Sequence, residues 1–512
     1  MGRSAEPEVL EHEAVDVEWK SLVDDSSVPR ATEVVSSGRR LLTNNILLTA
    51  AHVVTKACTL ITLALTARYL GAVHFGQLAF AATVVGYFGV LQDMGLNTLS
   101  IREVARDKRE ASRYMANVLG VRFLLTLATI VLLLAIAAVL NKPPEVKLII
   151  VIASLGGLPA IISVSNEILF AAHEKFQYKA ILNVASGILA ALMTVAVLLA
   201  GYGVVAVVVI GVVSLSVTAV LSWWVTRFRF PLRSARFDWV FAGKLVRRSL
   251  PFGLTTLFAG LYFRLSIAML SLFKGEMAVG WFYASFRLME SLLFLPGILA
   301  MTLYPVMSGL AGDSHERLQR LFASSVKIVL TGALAVAVGT TILARPIINL
   351  FYGGQYGESI RLLQILIWVL VLACINTIMM FVILAKNGEK TVLKATIVLA
   401  IVSFLGNLVF IPRYGAQGAA VVTVFVECAG TLYYWTVLRR HALHLRVWGY
   451  MPRVGPGLII MGACSFALRH SNLGVALSVS ALAYVSLLLL TRVFDREELV
   501  VIRDAVRRLK QT

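Results

Sequence analysis

The sequence predicts an all-α integral membrane protein. We expect fourteen transmembrane helices, arranged as two six-helix lobes related by a pseudo-twofold axis along the membrane normal, with a further helix pair at the C-terminal end. Three observations predict this fold class: an apolar composition, a succession of apolar runs long enough to cross a bilayer, and a weak internal repeat spaced six runs apart.

The composition is that of a membrane protein. Of the 512 residues, 58% are hydrophobic and only 15% are charged, whereas soluble domains average about 25% charged residues. Runs such as 123–140 and 188–200, taken with their flanks, reach the ~20 apolar residues that span a bilayer. One soluble core cannot bury apolar surface on this scale. The chain is therefore predicted to cross the membrane many times.

Fourteen spans result when the apolar runs are divided at charged residues and at Gly or Pro breaks. Their predicted bounds are 42–67, 75–99, 114–140, 148–170, 178–200, 203–225, 249–272, 277–309, 322–343, 360–385, 392–411, 416–437, 451–468 and 473–491. The eighth is too long for a hydrocarbon core of about 30 Å. We expect it to tilt, to kink at Pro296 or to project beyond the bilayer.

Lys and Arg indicate the orientation. With the N-terminus inside, most of the 47 Lys and Arg residues fall on the inner side, and those on the outer side are Arg68, Lys142, Lys147, Lys274, Arg345, Arg361, Arg413 and Arg469. Because cytoplasmic loops are enriched in these residues, both termini are predicted to be cytoplasmic and the protein to lie in the cytoplasmic (inner) membrane.

The same bias accounts for the net charge of +19. No basic stripe alternates with aromatic residues, which excludes nucleic acid as a partner.

Loops and tails divide the chain into six segments. We expect an acidic, disordered cytoplasmic tail at 1–38, an N-lobe of spans 1–6 at 39–226, a basic cytoplasmic linker at 227–248, a C-lobe of spans 7–12 at 249–440, spans 13 and 14 at 449–493, and a cytoplasmic tail at 494–512. The last tail is amphipathic, which favours a helix on the inner membrane surface. A solvated tail is the alternative.

Three pairs of short segments repeat six spans apart. "HEKFQYKA" (173–180) is similar to "EKTVLKA" (389–395), "GAVHFGQ" (71–77) to "GEMAVGW" (275–281), and "YGVVA" (202–206) to "YGAQGAA" (414–420). Each match alone is weak, because Gly in a tight turn is ordinary. Their shared order and spacing indicate a duplication in which both halves have the same orientation in the membrane. Two such lobes suit alternating access around a central site.

Ionisable residues inside the predicted spans are candidates for that central site. A charge near the bilayer centre costs roughly 2.5–3.5 kcal/mol on insertion scales, so it usually faces a cavity or a partner. Lys56 in span 1 and Arg264 in span 7 lie at similar depth on corresponding helices, with no partner nearby in the sequence. Arg287 and Glu290 in span 8 are spaced for a local ion pair or for a functional role.

The other charges are also open to more than one interpretation. Asp93 and Glu167 lie towards the inner ends of spans 2 and 4, where they could pair with basic residues or have a functional role. Arg122 is expected to snorkel at an inner interface. Asp93, Glu290 and Glu427, the last within span 12, are the candidates for ion coupling or ion pairing. A chamber containing Lys and Arg suits an anionic ligand, and a phosphate or pyrophosphate most, because the guanidinium group binds it in a bidentate manner.

Residues 64–106 resemble the signature of a known superfamily. The segment "LTARYLGAVHFGQLAFAATVVGYFGVLQDMGLNTLSIREVAR" contains an R-x-L-G-x-x-x-F-G motif, a helix ending in D-x-G and a basic loop. The residues that carry the resemblance are Arg68, Leu70, Gly71, Phe75, Gly76, Asp93 and Gly95. The segment is similar to polysaccharide-repeat flippases of the multidrug/oligosaccharidyl-lipid/polysaccharide exporter superfamily. The similarity extends over residues 40–490.

The resemblance implies a flippase that moves polyprenyl-pyrophosphate-linked oligosaccharide repeat units from the inner to the outer leaflet for cell-surface polysaccharide assembly. In the related lipid II flippases, cations on the first, second and eighth spans bind the pyrophosphate. Lys56 and Arg287 match by span, whereas the second span here has Asp93. Arg264 has no counterpart and is predicted from its placement alone. The predicted substrate-binding residues are Lys56, Arg264 and Arg287; no catalytic residue, metal or cofactor is expected.

The expected partners are the lipid-linked oligosaccharide, membrane lipids, H⁺ or Na⁺ as a coupling ion, and polysaccharide-assembly proteins. A drug/cation antiporter or a lipid II-type flippase of the same superfamily is the alternative, although an antiporter should favour acidic groups in its chamber. A membrane glycosyltransferase or ligase is a further alternative. It is disfavoured because such proteins usually carry a large outer loop, which this sequence does not predict. No Walker A motif indicates ATP use by the chain itself.

Overall fold

The chain is built from α-helices. The computed structural model describes residues 31–232, 234–444, 449–491 and 493, and these contain no β-strand. Residues 1–30 of the predicted acidic tail and the whole predicted tail at 494–512 lie outside the described residues. Residues 31–38, which the sequence assigns to the first tail, belong to the first helix. The predicted all-α fold class is confirmed.

Seven helices form the N-lobe. They are α1 (Ala31–Asp93), α2 (Leu96–Arg106), α3 (Ala111–Val139), α4 (Pro144–Leu155), α5 (Gly157–Ala172), α6 (Phe176–Leu199) and α7 (Val204–Arg229), with a 3-10 turn at Lys108–Glu110. α1 bends at Gly71 and so contains spans 1 and 2. α4 and α5 together make up span 4, and α2 continues the chain beyond span 2.

The C-lobe and the terminal helix pair follow the same plan. Their helices are α8 (Trp239–Lys274), α9 (Glu276–Glu290), α10 (Phe294–Asp313), α11 (His315–Phe351), α12 (Gly357–Ala385), α13 (Glu389–Arg440), α14 (Met451–Ala467) and α15 (Leu473–Leu490), with a 3-10 turn at Gly354–Tyr356. α13 bends at Gly415 and contains spans 11 and 12. α9 and α10 make up span 8. The fourteen predicted spans are thus all accounted for by helices.

Length and hydropathy support most of these spans individually. In the described residues, nine helical segments are long and apolar enough to cross a membrane, and two of them, 53 and 52 residues long, contain the bends at Gly71 and Gly415. α14 has 17 residues and α9 has 15, so neither reaches the usual length alone. The protein is a multi-pass membrane protein.

The over-long eighth span is broken close to the predicted proline. α9 ends at Glu290 and α10 begins at Phe294. The ring of Pro296 cannot be accommodated beside the carbonyl group four residues earlier in a continuous helix, and its nitrogen has no hydrogen to donate. The carbonyl concerned belongs to Leu292, which lies in the turn between the two helices.

The irregular connection between the lobes is shorter than the predicted linker at 227–248. α7 continues to Arg229, and α8 already begins at Trp239. The Asp238 carboxylate accepts hydrogen bonds from the backbone nitrogens of Val240 and Phe241, at 2.9 and 3.2 Å. This N-cap satisfies amide groups that have no partner within the helix, and it starts α8 well before the apolar run that defined span 7.

The two turns that contain the charged repeat have the same backbone conformation. Glu174 and Asn387 have φ values of 57° and 58°, and the next residue in each turn, Lys175 or Gly388, donates its amide hydrogen to a carbonyl five residues back. This is the Schellman arrangement at a helix C-terminus. The turns therefore align Glu174 with Asn387, so the match of letters between the two segments is displaced by two residues from the structural equivalence.

The "GAVHFGQ" and "GEMAVGW" repeat corresponds residue for residue. Gly71 has φ 75° and ψ 175°, and Gly275 has φ 81° and ψ −179°, a conformation that only Gly adopts readily. Five residues after each, Gly76 and Gly280 lie where spans 2 and 8 cross. A Cβ atom at Gly76 would overlap the carbonyl oxygen of Glu276, and one at Gly280 would overlap that of Ala72. Small residues spaced in this way let two helix backbones touch.

Around this crossing, the two lobes share one hydrophobic core. Ala67 and Phe75 of the N-lobe are buried with Tyr283, Tyr352 and Tyr356 of the C-lobe. The ring of Phe75 lies 5.3 Å from that of Tyr283 between centroids, and the hydroxyl of Tyr356 donates to the carbonyl oxygen of Ala67 at 3.0 Å. We call the end of the bundle that contains Gly71, Gly275 and Tyr356 the Gly71 face. At this face the lobes are closed against each other.

The lobes also meet at the opposite end, which we call the Asp93 face after the last residue of α1. A Cβ atom at Gly95, where φ is 79°, would lie 2.6 Å from the nitrogen of Gly253. Arg248 of α8 donates to Glu103 of α2 at 3.0 Å. A hydrogen bond from Arg102, together with the charge of Arg248, lowers the pKa of Glu103. The pair contributes to stability at neutral pH, and this contribution is lost as the pH falls through the lowered pKa.

Substitution of Gly280 by Ala should destabilise the protein. The added methyl group overlaps backbone atoms of Ala72, which cannot move aside as a side chain can, and overpacking of this kind costs about 1–3 kcal/mol or more. The measurement is the midpoint of thermal unfolding in detergent. Gly332→Ala in α11 is the matched control, because nothing lies within 4 Å of its added methyl group. Equal midpoints for the two variants would contradict the crossing described here.

Candidate functional site

Two of the three predicted cations lie at one space between the lobes. Arg264 on α8 and Arg287 on α9 line one small space, which is also bounded by Ala82, Thr83, Ile267, Tyr283, Phe286 and Glu290. Ala82 and Thr83 belong to span 2 of the N-lobe and the other six residues to the C-lobe. The space therefore lies between span 2 on one side and spans 7 and 8 on the other.

The register of the crossing helices explains this location. With Gly76 equivalent to Gly280, Thr83 is equivalent to Arg287, and both lie two helical turns beyond the crossing. Equivalent positions on the two lobes thus face the same space, as expected at a pseudo-twofold axis. The charged groups in this space all come from the C-lobe.

Arg287 is partly neutralised by its own helix. Its Nη1 donates to Glu290 Oε2 at 2.7 Å, its Nη2 donates to the hydroxyl of Tyr283, and its guanidinium carbon lies 4.8 Å from the centroid of that ring. The local ion pair with Glu290 that the spacing predicts is therefore present. Of the five N–H groups of Arg287, the buried Nε–H has no hydrogen-bond partner among the described residues.

Arg264 is the less constrained of the two arginines. Its half-buried side chain makes no hydrogen bond or ion pair with another described residue. Its Nη1 occupies the gap left by Gly86 of span 2, where a Cβ atom would lie 2.6 Å away. By the register of the crossing, Gly86 is the N-lobe equivalent of Glu290. The missing side chain at this position makes room for a cation from the opposite lobe.

The structure does not bring Lys56 to the two arginines. Its side chain is exposed, and it is not among the residues that line their shared space. In the register that makes Gly71 equivalent to Gly275, Lys56 is equivalent to Gly260. Gly260 precedes Arg264 by about one helical turn. Lys56 and Arg264 therefore differ by one helical turn in this register, and their side chains are not equivalent.

Asp93 makes its contacts within the N-lobe. Its carboxylate accepts hydrogen bonds from the backbone nitrogens of Gly95 and Asn97, each at 3.2 Å, and pairs with Arg122. Arg122 is only 3% exposed and donates to Ser165 Oγ at 2.8 Å. The expectation that Arg122 snorkels is wrong: the Asp93 charge and the Ser165 hydroxyl compensate its burial inside the N-lobe.

The turn after Asp93 explains the spacing of Asp93 and Gly95 in the D-x-G motif. The helix breaks after Asp93, Met94 and Gly95 have φ values of 42° and 79°, and the carboxylate then caps the first turn of α2. The other acidic candidate nearby, Glu167, accepts a hydrogen bond from Lys179 at 2.7 Å. Lys179 belongs to the first charged repeat segment, so both carboxylates are engaged with basic partners inside the N-lobe.

Glu427 lies in a different space, within the C-lobe. It is 4% exposed and accepts a hydrogen bond from Asn376 Nδ2 at 2.6 Å. The small space that it lines is also bounded by the hydroxyl-bearing side chains Ser266, Ser403 and Thr423. Within the described part of the chain, no group of three or more His, Cys, Asp or Glu side chains comes together. Three hydroxyl groups thus line the same space as this carboxylate.

Sequence reasoning missed Thr83, Tyr283 and Gly86 as contributors to the shared space. Tyr283 could have been found, because it precedes Arg287 by four residues and so lies on the same helical face. Thr83 and Gly86 could be found only from the register of the crossing. That register depends on which glycines touch, and a single sequence does not specify this contact.

Comparisons with known proteins agree with this architecture. A family model described as "Polysaccharide biosynthesis protein" matches residues 41–311, which is more than half of the chain. No curated protein matches the sequence.

Several solved structures share the fold. The lipid II flippase MurJ, in an inward closed conformation, aligns with a TM-score of 0.73 at 15% identity, covering 90% of this chain and 100% of that chain. An inward-facing multidrug resistance MATE family transporter of the MOP superfamily aligns with a TM-score of 0.65 at 17% identity, covering 78% and 98%. A MOP superfamily transporter from Pyrococcus furiosus Vc1, whose title describes a binding pocket of reverse polarity, aligns with a TM-score of 0.53 at 16% identity, covering 79% and 95%.

Replacement of Gly86 by Ala should disturb the shared space without unfolding the protein. The added methyl group meets the flexible end of the Arg264 side chain, so Arg264 moves and the fold is retained. We expect a several-fold weaker affinity for inorganic pyrophosphate, measured by calorimetry, with a thermal midpoint within about 2 °C of wild type. Gly89→Ala, on the same helix and with nothing within 4 Å, is the control. Unchanged affinity in Gly86→Ala would show that Arg264 does not depend on this gap.

Proposed function

Because the chain belongs to the polysaccharide biosynthesis protein family and has the fold of MOP-superfamily transporters, we propose that it is a flippase for polyprenyl-pyrophosphate-linked oligosaccharide repeat units. It would move these units from the inner to the outer leaflet for cell-surface polysaccharide assembly, by alternating access and without a catalytic step. The observation that carries the proposal is the pair of arginines, Arg264 and Arg287, at one space between the lobes.

The chemistry of this pair favours a pyrophosphate group. No described residue accepts a hydrogen bond from Arg264, and the Nε of Arg287 has no acceptor among the described residues. Two guanidinium groups in reach of one ligand can bind several phosphate oxygens at once, with charge-assisted hydrogen bonds. Glu290 offsets one of the two positive charges in the absence of ligand, which reduces the cost of keeping them in the membrane.

We propose that the three parts of the substrate occupy different places. In this closed arrangement the space beside Arg264 and Arg287 has room for little more than one water molecule, so the pyrophosphate would enter it as the lobes separate. The oligosaccharide would occupy the wider gap that forms when the lobes separate. The polyprenyl chain would remain in the lipid, beside the many exposed apolar side chains of the helices.

The orientation belongs to the proposal as well. The distribution of Lys and Arg favours cytoplasmic termini in the cytoplasmic membrane, which makes the Gly71 face the outer side and the Asp93 face the inner side. Enzymes that build the lipid-linked sugar inside, and enzymes that consume it outside, are the expected partners in polysaccharide assembly.

Asp93, Glu290 and Glu427 remain the candidates for ion coupling. Asp93 and Glu290 pair with Arg122 and Arg287, and Glu427 lines a space of the C-lobe together with the hydroxyl groups of Ser266, Ser403 and Thr423. We propose Glu427 as the first to test, because carboxylate and hydroxyl oxygens can together hold H⁺ or Na⁺. The same acidic space is the specific observation that favours a cation antiporter as the second candidate function, although it lies apart from the interface between the lobes.

Removal of either arginine should slow leaflet exchange of the lipid-linked sugar. In liposomes with a fluorescent polyprenyl-pyrophosphate oligosaccharide, Arg264→Gln and Arg287→Gln should each lower the initial rate about tenfold or more, since hydrogen bonds to charged groups contribute ~1.5–3 kcal/mol. Lys56→Gln should have a smaller effect, because Lys56 lies apart. Arg469→Gln, at an exposed arginine on the Gly71 face, is the matched control.

Two results of this assay would exclude the proposal. The first is a rate in Arg264→Gln and Arg287→Gln equal to that of Arg469→Gln. The second is transport of a cationic dye by the wild-type protein without exchange of the lipid-linked sugar, which would favour the antiporter. Exchange of lipid II in preference to the oligosaccharide would instead identify a lipid II-type flippase.

Substitution of Glu427 by Gln tests the coupling site. If Glu427 carries the coupling ion, Glu427→Gln should abolish the response of the exchange rate to an imposed H⁺ or Na⁺ gradient while leaving the rate without a gradient near that of wild type. Glu358→Gln, at an exposed position on α12, is the control. A full gradient response in Glu427→Gln removes Glu427 from the coupling mechanism.

A further inference from the structure

Two basic side chains of the N-lobe reach across to the C-lobe at the Gly71 face. They are Arg68, at the end of span 1, and Lys142, in the loop after span 3. Neither belongs to the shared space between the lobes, and the first is part of the motif that marks the superfamily resemblance. Their hydrogen bonds assign them to contact between the lobes.

The hydrogen-bond acceptors of Lys142 all belong to the C-lobe. Its Nζ lies 2.7 Å from Glu276 Oε1, 2.9 Å from Ser271 Oγ and 2.6 Å from the carbonyl oxygen of Ser271. An ammonium group has three hydrogens to donate, and three acceptors surround it. The side chains of Lys142 and Glu276 are only 11% and 8% exposed. This is a buried ion pair whose two charges belong to different lobes.

Arg68 makes the corresponding contact at the surface. Its Nε donates to the carbonyl oxygen of Phe351 at 3.0 Å, and its Nη2 donates to those of Asn349, at 2.8 Å, and Leu350. These three residues end α11, where carbonyl groups have no partner within the helix and carry partial negative charge. The guanidinium group of one lobe thus caps a helix of the other.

The two contacts are related by the pseudo-twofold axis. Arg68 joins the end of span 1 to the end of span 9, and Lys142 joins the end of span 3 to the end of span 7. Spans 1 and 7 are equivalent, and so are spans 3 and 9. The axis therefore relates the contact between spans 1 and 9 to the contact between spans 7 and 3. The contacts therefore depend on how the lobes are placed relative to each other, and both are lost when the lobes separate at this face.

We propose that the buried Lys142–Glu276 pair is the latch that closes the outer side of the transporter and that it opens in every transport cycle. The latch rests on the proposed alternating access and on the proposed orientation. A buried ion pair gains Coulomb attraction but loses hydration, and the two terms nearly cancel. Closure by such a pair is only weakly favourable, because both charges recover their hydration when the lobes part. An apolar contact in the same place would favour closure more strongly.

This physical argument predicts opposite effects for single and double substitutions. Lys142→Met leaves the Glu276 carboxylate buried without its cation, which costs more than the intact pair, so the outer side should open. Lys142→Met combined with Glu276→Met leaves two apolar side chains of similar volume, so the outer side should close at least as firmly as in wild type. Such a reversal separates a latch from general structural damage.

The test measures the distance between the lobes without any substrate. Spin labels are placed on Val139→Cys in the N-lobe and Tyr414→Cys in the C-lobe, which are exposed positions near the ends of their spans at the Gly71 face. The four native cysteines are first replaced by Ala, and this protein must retain wild-type leaflet exchange. Distance distributions in liposomes then give the ratio of open to closed molecules.

We expect Lys142→Met to raise the open-to-closed ratio by about tenfold or more, and the double variant to return it to the wild-type value or below with slower leaflet exchange. Glu145→Gln is the control, because it removes an exposed pair with His74, at 3.8 Å, inside one lobe of the same face. Should Lys142→Met fail to fold, Glu276→Gln keeps the shape of the side chain and should shift the ratio in the same direction.

The latch is overturned if Lys142→Met and Glu276→Gln leave the ratio unchanged, or if the double variant is as open as the single ones. Failure of the proposed function is a separate result. If the ratio responds as expected but no lipid-linked sugar is exchanged, the latch stands and the substrate assignment falls. If exchange depends on Arg264 and Arg287 but the ratio does not respond, only the latch falls.

Discussion

The backbone contact between spans 2 and 8 at Gly76 and Gly280 is the constraint on which the rest of the architecture depends. It brings the helices closer than any side chain would allow, and van der Waals contact of this kind is a main source of helix association in membranes. The two hairpin glycines, Gly71 and Gly275, set the direction in which each helix enters the crossing. Once this contact is made, every position further along spans 2 and 8 has a fixed neighbour in the other lobe.

The shared space between the lobes is one result of that register. Thr83 and Arg287 face it because they occupy equivalent positions two turns beyond the crossing. Gly86 has no side chain, and Arg264 fills the gap beside it. The equivalent position in the C-lobe is Glu290, whose side chain lines the shared space. The sealed core around Phe75, Tyr283 and Tyr356 is the other result, and it closes the Gly71 face. One crossing therefore determines the positions of the two arginines and of the closed core beside them.

Much of the fold could be predicted from the sequence, because apolar runs, turn glycines and charge asymmetry are local signals. The fourteen spans, the break near Pro296 and the pairing of Arg287 with Glu290 depend on spacing along one helix. Arg122 and Lys56 were predicted less well, because their surroundings depend on how each helix is rotated and on what packs against it. A buried Arg122 beside Asp93 and an exposed Lys56 look alike in sequence: each is a basic residue in an apolar run. The contact of Arg68 with Asn349, 281 residues further along the chain, has no local signal in the sequence.

The asymmetry of the shared space also has a consequence for where a bound anion would reside. The backbones of the two lobes are related by the axis, but the charged groups are not, since Arg264, Arg287 and Glu290 all belong to the C-lobe. The electrostatic minimum for an anion is therefore displaced from the axis towards one half of the molecule. In the proposed transport cycle, an anion held there would move with the C-lobe, and the N-lobe would separate from it without a charged group to offer. Under this proposal, one half of the duplicated scaffold carries the ligand and the other covers it.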